Sequence, residues 1–391
     1  MQSPYAPRRQ DLMPTEPTPL PLQIGILGTA DIAKKNARAI SESKHTNLNA
    51  LAFRSQQKLQ AWLDQTTHFL PDDLITVSYE ELVKLKSVNA VYIPVPTLAH
   101  TKWVTEAANQ GKHILLEKPV AMSAKEFVEM LNVCARNGVR LMDGTMFMHH
   151  DRFATIGKLL RPSERPIIGY PNRIYTAFSF NGGEMEGNVR VQPDGDPLGA
   201  LGDLGWYNIR LGLVGFGWAR PIAARAYEKM SKNGVPSEVE AIVEFEGTSP
   251  TSPPRILHFF CSFHRTFQQR FEIVTDRDRI ITCEDFVLPN SQWKCEPVKL
   301  RVSKGPVDFA NNMEVREDEL HCAPCCQEAN MWDSFAALVA DKGNNWSAVS
   351  GGLTPEVAAL RTQAVIDLCL LSMKSDGERV AFEDKEIPWD Y

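Results

Sequence analysis

Residues 22–33 read LQIGILGTADIA, and this stretch decides the fold of the first part of the chain. The apolar run 22–27 is typical of a buried strand. From Gly28 onward the pattern is G-x-A-x-x-A, a relaxed form of the glycine fingerprint in which a strand turns tightly into a helix. Gly28 permits the turn, Ala30 lets the backbone approach a phosphate, and Ala33 allows close packing of the helix on the strand. The stretch predicts a phosphate-binding turn, with a structural turn that holds no ligand as the alternative.

Strand and helix patterns alternate on the carboxyl side of this turn. Strands separated by helices of about 10–15 residues indicate βαβ units and a parallel sheet. We therefore predict a doubly wound, Rossmann-type α/β domain over residues 22–146. Its further strands are predicted at 48–53, 76–78, 90–94, 113–117 and 139–142, and its helices at 31–43, 56–66, 79–85, 101–110 and 123–137.

Beyond residue 146 the apolar residues alternate with period two, which is typical of strands with one buried and one open face. This pattern predicts a second, α+β domain over residues 147–391, built on a large, open, mostly antiparallel sheet. Its strands are predicted at 173–180, 238–245, 255–263 and 269–274, and its helices at about 203–215, 327–341 and 355–374.

The overall composition is that of an ordinary soluble globular protein. The 391 residues carry 48 acidic and 42 basic side chains, so the formal net charge is −6. A dedicated nucleic-acid binder usually shows a clustered basic excess, so we expect no nucleic-acid partner. The chain has no apolar run of the ~18–20 residues that a membrane span needs, so we expect no membrane partner.

The amino terminus and the cysteines bear on the compartment. Residues 1–21 are rich in proline, and we expect a disordered leader there without the apolar core of a secretory signal. Eight cysteines in 391 residues are sparse for a disulfide scaffold. We therefore expect thiols in a reducing, cytoplasmic environment. The run HCAPCC at 321–326 fits a tetrahedral metal poorly, because structural sites usually join two separated ligand pairs, and we predict no metal.

The end of the second predicted strand reports on which nucleotide the domain prefers. An acidic residue at this place would accept a hydrogen bond from the ribose 2′-hydroxyl of NAD, and none lies between Leu48 and Ala61. Arg54, Ser55 and Lys58 stand there instead and suit a 2′-phosphate. We predict NADP over NAD, with solvated surface residues as the alternative.

The run Glu117-Lys-Pro119 lies at the carboxyl end of a parallel strand, the edge at which doubly wound folds bind ligands. The proline after Lys118 favours a cis peptide bond. With the turn from Gly28, the runs AVYIPVPTLAH at 90–100 and GKHILLEKPV at 111–120 resemble the glucose–fructose oxidoreductase/inositol dehydrogenase/rhizopine-catabolism (Gfo/Idh/MocA) family. The runs 141–147 and 198–207 look most like plant-type members and the branch with dihydrodiol and D-xylose dehydrogenases.

The resemblance covers the chain from about residue 22 and implies NAD(P)-dependent hydride transfer at a carbon of a sugar or a related cyclic compound. It implies a homodimer formed through the open sheet. It also implies a set of coenzyme contacts along the strand ends of the first domain. We assign to this set Gly28, Thr29, Ala30, Asp31, Ile32, Arg54, Ser55, Lys58, Pro94, Thr97, Leu98, His100, Glu117, Lys118 and Pro119.

Two residues are the candidates for catalysis. Lys118 matches the family's lysine near nicotinamide and substrate, and Tyr207 closes the run DLGWY, where the resembling branch has its acid/base tyrosine. A free tyrosine has a pKa near ~10, too high for a base at neutral pH. A lysine ammonium within ~4–6 Å favours the phenolate and lowers that pKa. We therefore expect Tyr207 to pass the proton and Lys118 to tune Tyr207 and orient the substrate hydroxyl; packing at the domain interface is the alternative for Tyr207.

Four further residues are candidates for contact with the substrate. Asp203 is expected either to bind substrate hydroxyls or to cap a helix, and Trp206 either to stack on a sugar ring or to pack in the core. Arg190 follows a glycine-rich loop and either meets a polar substrate or forms a surface salt bridge. His150 lies where family members carry a histidine in an R-F-H-P-like run, but this chain reads MHHD at 148–151.

The function expected from these residues is a cytoplasmic NADP-dependent oxidoreductase acting on a carbohydrate-like small molecule. The candidate substrates are a monosaccharide, an anhydro- or keto-sugar, or a dihydrodiol. Two alternatives remain open. One is an NAD-dependent glycosidase that oxidises and re-reduces its sugar. The other is a non-catalytic NADP(H)-binding regulator, against which the presence of both Lys118 and Tyr207 speaks.

Overall fold

The computed structural model describes residues 21–160, 168–185, 187–289, 297–304, 314–323, 325–340, 346–347, 349–383 and 386–391. The predicted leader at 1–21 lies, apart from residue 21, outside the described residues. None of the helices in the described ranges has the length and apolar character that crossing a lipid bilayer requires.

The amino-terminal part of the chain forms a six-stranded parallel sheet in the order β3-β2-β1-β4-β5-β6. The chain starts in the middle of the sheet, builds outward to β3 and then crosses to β4, so the carboxyl ends of β1 and β4 flank the crevice where such sheets bind ligands. The strands are β1 (Leu22–Leu27), β2 (Thr46–Ala52), β3 (Ile75–Val77), β4 (Ala90–Ile93), β5 (His113–Leu116) and β6 (Leu141–Asp143). The helices are α1 (Asp31–Glu42), α2 (Gln56–Asp64), α3 (Tyr79–Lys84), α4 (His100–Asn109) and α5 (Ala124–Arg136).

The rest of the chain builds a nine-stranded sheet in the order β14-β13-β12-β11-β7-β10-β9-β8-β15. Its strands pair antiparallel except β7 and β10, which are parallel. The elements in chain order are α6 (Asp151–Leu160), β7 (Pro171–Asn181), α7 (Trp206–Gly215), β8 (Pro221–Met230), β9 (Pro236–Phe245), β10 (Arg255–Ser262), β11 (His264–Thr275), β12 (Arg279–Cys283), β13 (Val298–Lys304), β14 (Glu314–Leu320), α8 (Gln327–Val339), α9 (Pro355–Lys374) and β15 (Val380–Ala381). The predicted fold class, a Rossmann sheet followed by a large, mostly antiparallel sheet, is confirmed.

Helix α7 covers the inner face of this second sheet and is buried along its whole length. A Cβ on Gly212 would lie 2.5 Å from Leu257 Cδ2 in β10, so only glycine lets the helix approach the sheet this closely. The outer face is open, with exposed fractions of 42% for Tyr175 and 41% for Ile242. The period-two pattern of the sequence reflects this difference between the two faces.

The chain divides into two compact units whose boundary differs from the predicted one. The first unit holds the described residues up to His149 together with those in Cys326–Gln363 and Pro388–Tyr391. The second holds those in His150–Cys325 and Ala364–Ile387, so the division falls inside α9. The expected second domain over 147–391 is therefore interrupted, because α8 packs with the first sheet rather than with the second.

A buried chain of hydrogen bonds explains why α8 belongs to the first unit. Trp332 Nε1 in α8 donates to Asn36 Oδ1 at 2.9 Å, and Asn36 Nδ2 donates to Tyr92 Oη at 2.8 Å. The Tyr92 hydroxyl donates to Glu117 Oε1, and the backbone N–H of Lys118 donates to Glu117 Oε2 at 3.2 Å. Asn36, Tyr92 and Trp332 are each at most 1% exposed, so each bond satisfies a polar atom that water does not reach.

Replacing Trp332 with phenylalanine tests this hydrogen-bonded chain. We expect Trp332→Phe to lower the free energy of unfolding by about 1–3 kcal/mol more than Trp62→Phe, because it leaves Asn36 Oδ1 buried without its donor. Trp62 is the matched control: it is 1% exposed, and its Nε1 makes no hydrogen bond within the described residues. Urea denaturation of both variants measures the difference, and equal losses would contradict the role given to the Trp332–Asn36 bond.

Candidate active site

The turn between β1 and α1 has the geometry that a phosphate needs. Gly28 has φ +119°, a backbone conformation that L side chains rarely adopt, and a Cβ there would lie 2.5 Å from Tyr79 Oη. Helix α1 begins at Asp31, and its N-cap residue Ala30 provides no side-chain hydrogen bond to the first turn. The N–H groups of Gly28 and Ala33 donate to the carbonyls of Ile26 and Ala30 at 3.3 and 3.0 Å. The N-cap side chain does not compete for the other N–H groups at the start of α1, and the helix dipole favours an anion there.

Tyr79, the first residue of α3, connects this turn to Arg54, which follows β2. Its hydroxyl lies over Gly28, and the guanidinium of Arg54 lies 5.4 Å from the centre of its ring. Burial raises the pKa of Tyr79, while the charge of Arg54 and a side-chain hydrogen bond to it act in the opposite direction. Tyr79 thus stays a neutral phenol that holds a cation beside the phosphate-binding turn.

The other residues predicted at this end of the unit differ in exposure. Ser55 is the N-cap of α2, where its Oγ accepts a hydrogen bond from the Lys58 N–H at 3.4 Å, and its hydroxyl hydrogen can still be donated. Lys58 and Asp31 are exposed, and Asp31 pairs with Lys34 at 2.8 Å. Thr29, Ala30 and Ile32 are half-buried.

The carboxyl end of β4 carries Pro94, Thr97, Leu98 and His100. Leu98 is 46% exposed, whereas Thr97 and His100 are buried. The His100 ring nitrogens lie 2.9 Å from the carbonyl oxygen of Val95 and 3.1 Å from that of Val120. The ring therefore ties the loop after β4 to the loop after β5 and holds both in place.

Glu117, Lys118 and Pro119 follow β5 at the same edge of the sheet. The Lys118–Pro119 peptide bond is cis, as the sequence predicted. Glu117 and Lys118 are half-buried, and the carboxylate of Glu117 is the end point of the chain of hydrogen bonds from Trp332. This carboxylate accepts the Lys118 N–H and so fixes the backbone of Lys118 at the edge.

In the second unit, Tyr207 lies in the first turn of α7 with its ring 5% exposed and packed edge-on against Phe178 at 5.7 Å. The helix is preceded by a π-helical turn, Leu201–Gly205, which contains Asp203. Asp203 Oδ2 accepts a hydrogen bond from Arg190 Nε at 2.8 Å. Three of the residues predicted for the site, Tyr207, Asp203 and Arg190, therefore lie together.

Trp206 is fully buried, and the guanidinium of Arg210, one turn later in α7, lies 5.4 Å from the centre of its ring. The same guanidinium lies 5.8 Å from the ring of Trp218. This arrangement is core packing with a cation–π contribution. A stacking contact of Trp206 with a sugar stays a prediction.

His150 is 2% exposed and belongs to a buried polar cluster. Its Nδ1 accepts hydrogen bonds from the backbone N–H of Arg152 at 3.1 Å and from Arg152 Nε at 3.4 Å. Arg152 forms a buried ion pair with Asp285 and donates to Cys283 Sγ at 3.1 Å. Burial, and then the charge of Arg152, lowers the pKa of His150 to about 4. His150 is therefore neutral at physiological pH, with its proton on Nε2.

The open face of the second sheet contains a shallow cavity of about 420 Å³, lined by residues of β7, β9, β10, β11 and β12. His258 Nε2 and Glu240 Oε1 are 2.9 Å apart on this face. Within the described ranges no group of three or more histidine, cysteine or carboxylate side chains could hold a metal ion.

The structure brings the predicted residues together in two groups, each within one unit. The first group surrounds the carboxyl edge of the parallel sheet, and the second consists of Arg190, Asp203 and Tyr207. Sequence reasoning did not assign Tyr79 to the site. Its position directly after the third strand of a parallel sheet was the signal that could have identified it.

This fold defines a class of protein: a doubly wound, dinucleotide-type sheet with an anion cradle at β1, joined to a large open sheet. Residues 22–145 match the model of the Gfo/Idh/MocA oxidoreductase family, which describes an NAD-binding Rossmann fold. The family predicted from the sequence is thus confirmed for these residues.

Two curated relatives are sugar-modifying enzymes. One is a dTDP-3,4-didehydro-2,6-dideoxy-alpha-D-glucose 3-reductase from Streptomyces violaceoruber, 31% identical over 191 residues, which are 49% of this chain and 53% of that protein. The other is a D-xylose 1-dehydrogenase (NADP(+)) from Haloferax volcanii, 28% identical over 225 residues, 58% of this chain and 66% of that protein. The chain spans about half the length of the first of these relatives.

The solved structure of a 3-ketoreductase from Actinomadura kijaniata, in complex with NADP and TDP-benzene, shares the fold. Its TM-score is 0.72 at 21% identity, and the match covers 90% of this chain and 98% of that chain. Solved variants of that protein replace one tyrosine with phenylalanine or one lysine with alanine.

Proposed function

We propose that this protein is an NADP-dependent oxidoreductase that transfers hydride between nicotinamide and a carbon of a sugar, a keto- or anhydro-sugar, or a dihydrodiol. The anion cradle at Gly28 carries this proposal. Position 28 has no space for a side chain, and the N-cap residue of α1 makes no side-chain hydrogen bond to the first turn. The guanidinium of Arg54 lies over the ring of Tyr79, whose hydroxyl is next to Gly28. The family of residues 22–145 and the sugar-modifying relatives support the choice of reaction and substrate class.

The residues present fit NADP better than NAD. A 2′-phosphate needs donors and positive charge at the end of β2, where Arg54 is exposed and Ser55 has a hydroxyl hydrogen to donate. An acidic partner for a free 2′-hydroxyl is absent from this stretch of sequence. The related xylose dehydrogenase is an NADP(+) enzyme, and the solved structure of the ketoreductase contains NADP.

The coenzyme, when bound, supplies or accepts the hydride. The chain's own residues would then manage the proton of the substrate hydroxyl. Tyr207 is the proposed acid/base, and Lys118 the residue that favours its phenolate and orients the substrate hydroxyl. Glu117 contributes by holding the Lys118 backbone, and neutral His150 offers an Nε2 proton rather than a charge.

Coenzyme binding is the first test. We expect NADPH to bind at least roughly tenfold more tightly than NADH, about 1.4 kcal/mol. Arg54→Ala should remove most of this preference, and Tyr79→Phe part of it, because the guanidinium then loses its hydrogen-bonded support. Quenching of tryptophan fluorescence measures both affinities. Arg136→Ala, an exposed arginine in the last turn of α5, is the control.

Three outcomes of this titration are informative. A preference for NADPH that depends on Arg54 supports the assignment. A preference for NADH contradicts the 2′-phosphate contact and leaves the fold unaffected. Binding of neither coenzyme contradicts the proposed function.

Turnover tests the role of Tyr207. In a screen of sugars, keto-sugars and diols with NADPH and NADP, Tyr207→Phe should lower kcat at least ~100-fold and leave NADPH affinity unchanged, because only the proton-transfer group is lost. Tyr170→Phe, at a 37% exposed position directly before β7, is the control. If Tyr207→Phe keeps full activity, the acid/base assignment is wrong. If the unaltered protein binds NADPH but turns over no substrate, the regulator alternative gains support.

The open face of the second sheet is the proposed surface for a homodimer. It combines exposed apolar side chains, Tyr175, Tyr227 and Ile242, with charges of both signs, including the Glu240–His258 pair. A surface of this kind can complement itself across a two-fold axis. The expected cytoplasmic location stays a prediction.

Sedimentation equilibrium tests the dimer. We expect a dimer for the unaltered chain and a monomer for Ile242→Asp, because a carboxylate would then be buried without a partner in the interface. Met230→Asp, at a 49% exposed position where β8 ends, is the control. A monomeric unaltered chain would exclude this interface.

A further inference from the structure

A short segment before α7 holds Arg190 in a defined place. Asn188 Oδ1 accepts a hydrogen bond from the Arg190 N–H at 3.1 Å, and the Val189 carbonyl accepts one from the Asp196 N–H at 3.2 Å. A Cβ on Gly195 would lie 2.6 Å from Val189 Cγ2, so the loop closes tightly on itself. Arg190 is therefore presented by a turn whose backbone is fixed on both sides.

The side chain of Arg190 is fixed by the π-helical turn that precedes α7. Its Nε donates to Asp203 Oδ2 at 2.8 Å, and the Asp203 side chain is only 17% exposed. Asp203 lies four residues before Tyr207, a spacing that places both side chains on the same side of the helical segment. The guanidinium is thereby tied to a side chain one turn before Tyr207.

Electrostatics within the second unit connects these residues. The pKa of Arg190 is raised by the charge of Asp203 first, with burial opposing, and then further by Asp196 and by Tyr207. The interaction between two titrating groups is mutual, so a phenolate that stabilises a guanidinium is stabilised by it to the same extent. The thiol of Cys261 in β10 also interacts with Asp203, but burial raises its pKa and keeps it neutral.

We propose that Arg190 is a positioning residue for proton transfer: held by Asp203, it stabilises the phenolate of Tyr207 from within the same unit. Arg190 thus adds to Lys118 as a cation for this tyrosine. Asp203 acts as the tether of Arg190 rather than as a ligand of substrate hydroxyls. This inference rests on the proposed function for its catalytic meaning, but the interaction itself needs neither coenzyme nor substrate.

The test is a pH titration of tyrosinate absorbance on the full chain, each protein measured against the same protein with Tyr207→Phe, so that the difference reports Tyr207 alone. In Arg190→Gln the transition of Tyr207 should move to higher pH by about one unit or more, a tenfold change in its protonation equilibrium. The cation is lost, while the negative charge of Asp203 remains. Arg190→Lys should give a smaller shift, because it keeps the charge.

The control is Arg265→Gln in β11. Arg265 pairs with Glu238 at 2.6 Å, and the side chains of this pair are 54% and 17% exposed. The side chains of Arg190 and Asp203 are similarly exposed, at 45% and 17%. Arg265→Gln should leave the Tyr207 transition in place. Identical transitions in the unaltered chain, Arg190→Gln and Arg190→Lys would overturn the proposal. If Arg190→Gln does not fold, Arg190→Lys alone decides, by shifting the transition or leaving it unchanged.

Once a substrate is found, a second readout separates this inference from the proposed function. For carbonyl reduction the protonated phenol is the active form, so activity falls at high pH, and Arg190→Gln should move this fall to higher pH. Full activity of Tyr207→Phe would refute the catalytic role, while the shifted tyrosinate transition would still establish the Arg190–Tyr207 interaction. A turnover that depends on Tyr207 with no shift in Arg190→Gln would refute only the inference.

Discussion

The chain of hydrogen bonds from Trp332 through Asn36 and Tyr92 to Glu117 is the constraint on which the candidate site depends. It begins in α8 and ends at the carboxylate that holds the Lys118 backbone. Three of its members are buried, and a buried polar atom without a partner costs about 1–3 kcal/mol. The position of Lys118 is therefore determined by packing far from it in sequence.

Each unit fixes its charged side chains by pairing them with groups on short, rigid segments. In the first unit Arg54 lies on the ring of Tyr79, whose hydroxyl covers Gly28. In the second, Arg190 is tied to Asp203 in the π-helical turn before α7. Ordering these side chains in advance lowers the entropic cost of binding an anion or stabilising a phenolate. The polar residues at both places are thus arranged before any ligand arrives.

Local patterns predicted the elements of the first sheet well, because its strands are short apolar runs bounded by helices. Strand β1 and helix α9 both have the bounds that the sequence predicted. Strands β8 and β12–β14 went unpredicted, since their alternation is weak and mixed with charges, as in EVREDEL of β14. The Tyr79–Arg54 pair and the Arg190–Asp203 pair join residues 25 and 13 positions apart in sequence, a proximity that periodicity does not report.

The return of α8 to the first unit has a consequence for the order in which the protein can form during synthesis. The Trp332–Asn36 bond joins residues 296 positions apart. An amino-terminal domain usually folds as soon as it leaves the ribosome. Here the emerging parallel sheet lacks α8 until most of the chain has been translated, so most of the second unit is synthesised while the first is still incomplete. Contacts this distant in sequence slow folding, and a nascent chain of this protein passes through a long period in which the buried surface around Asn36 is open to chaperones.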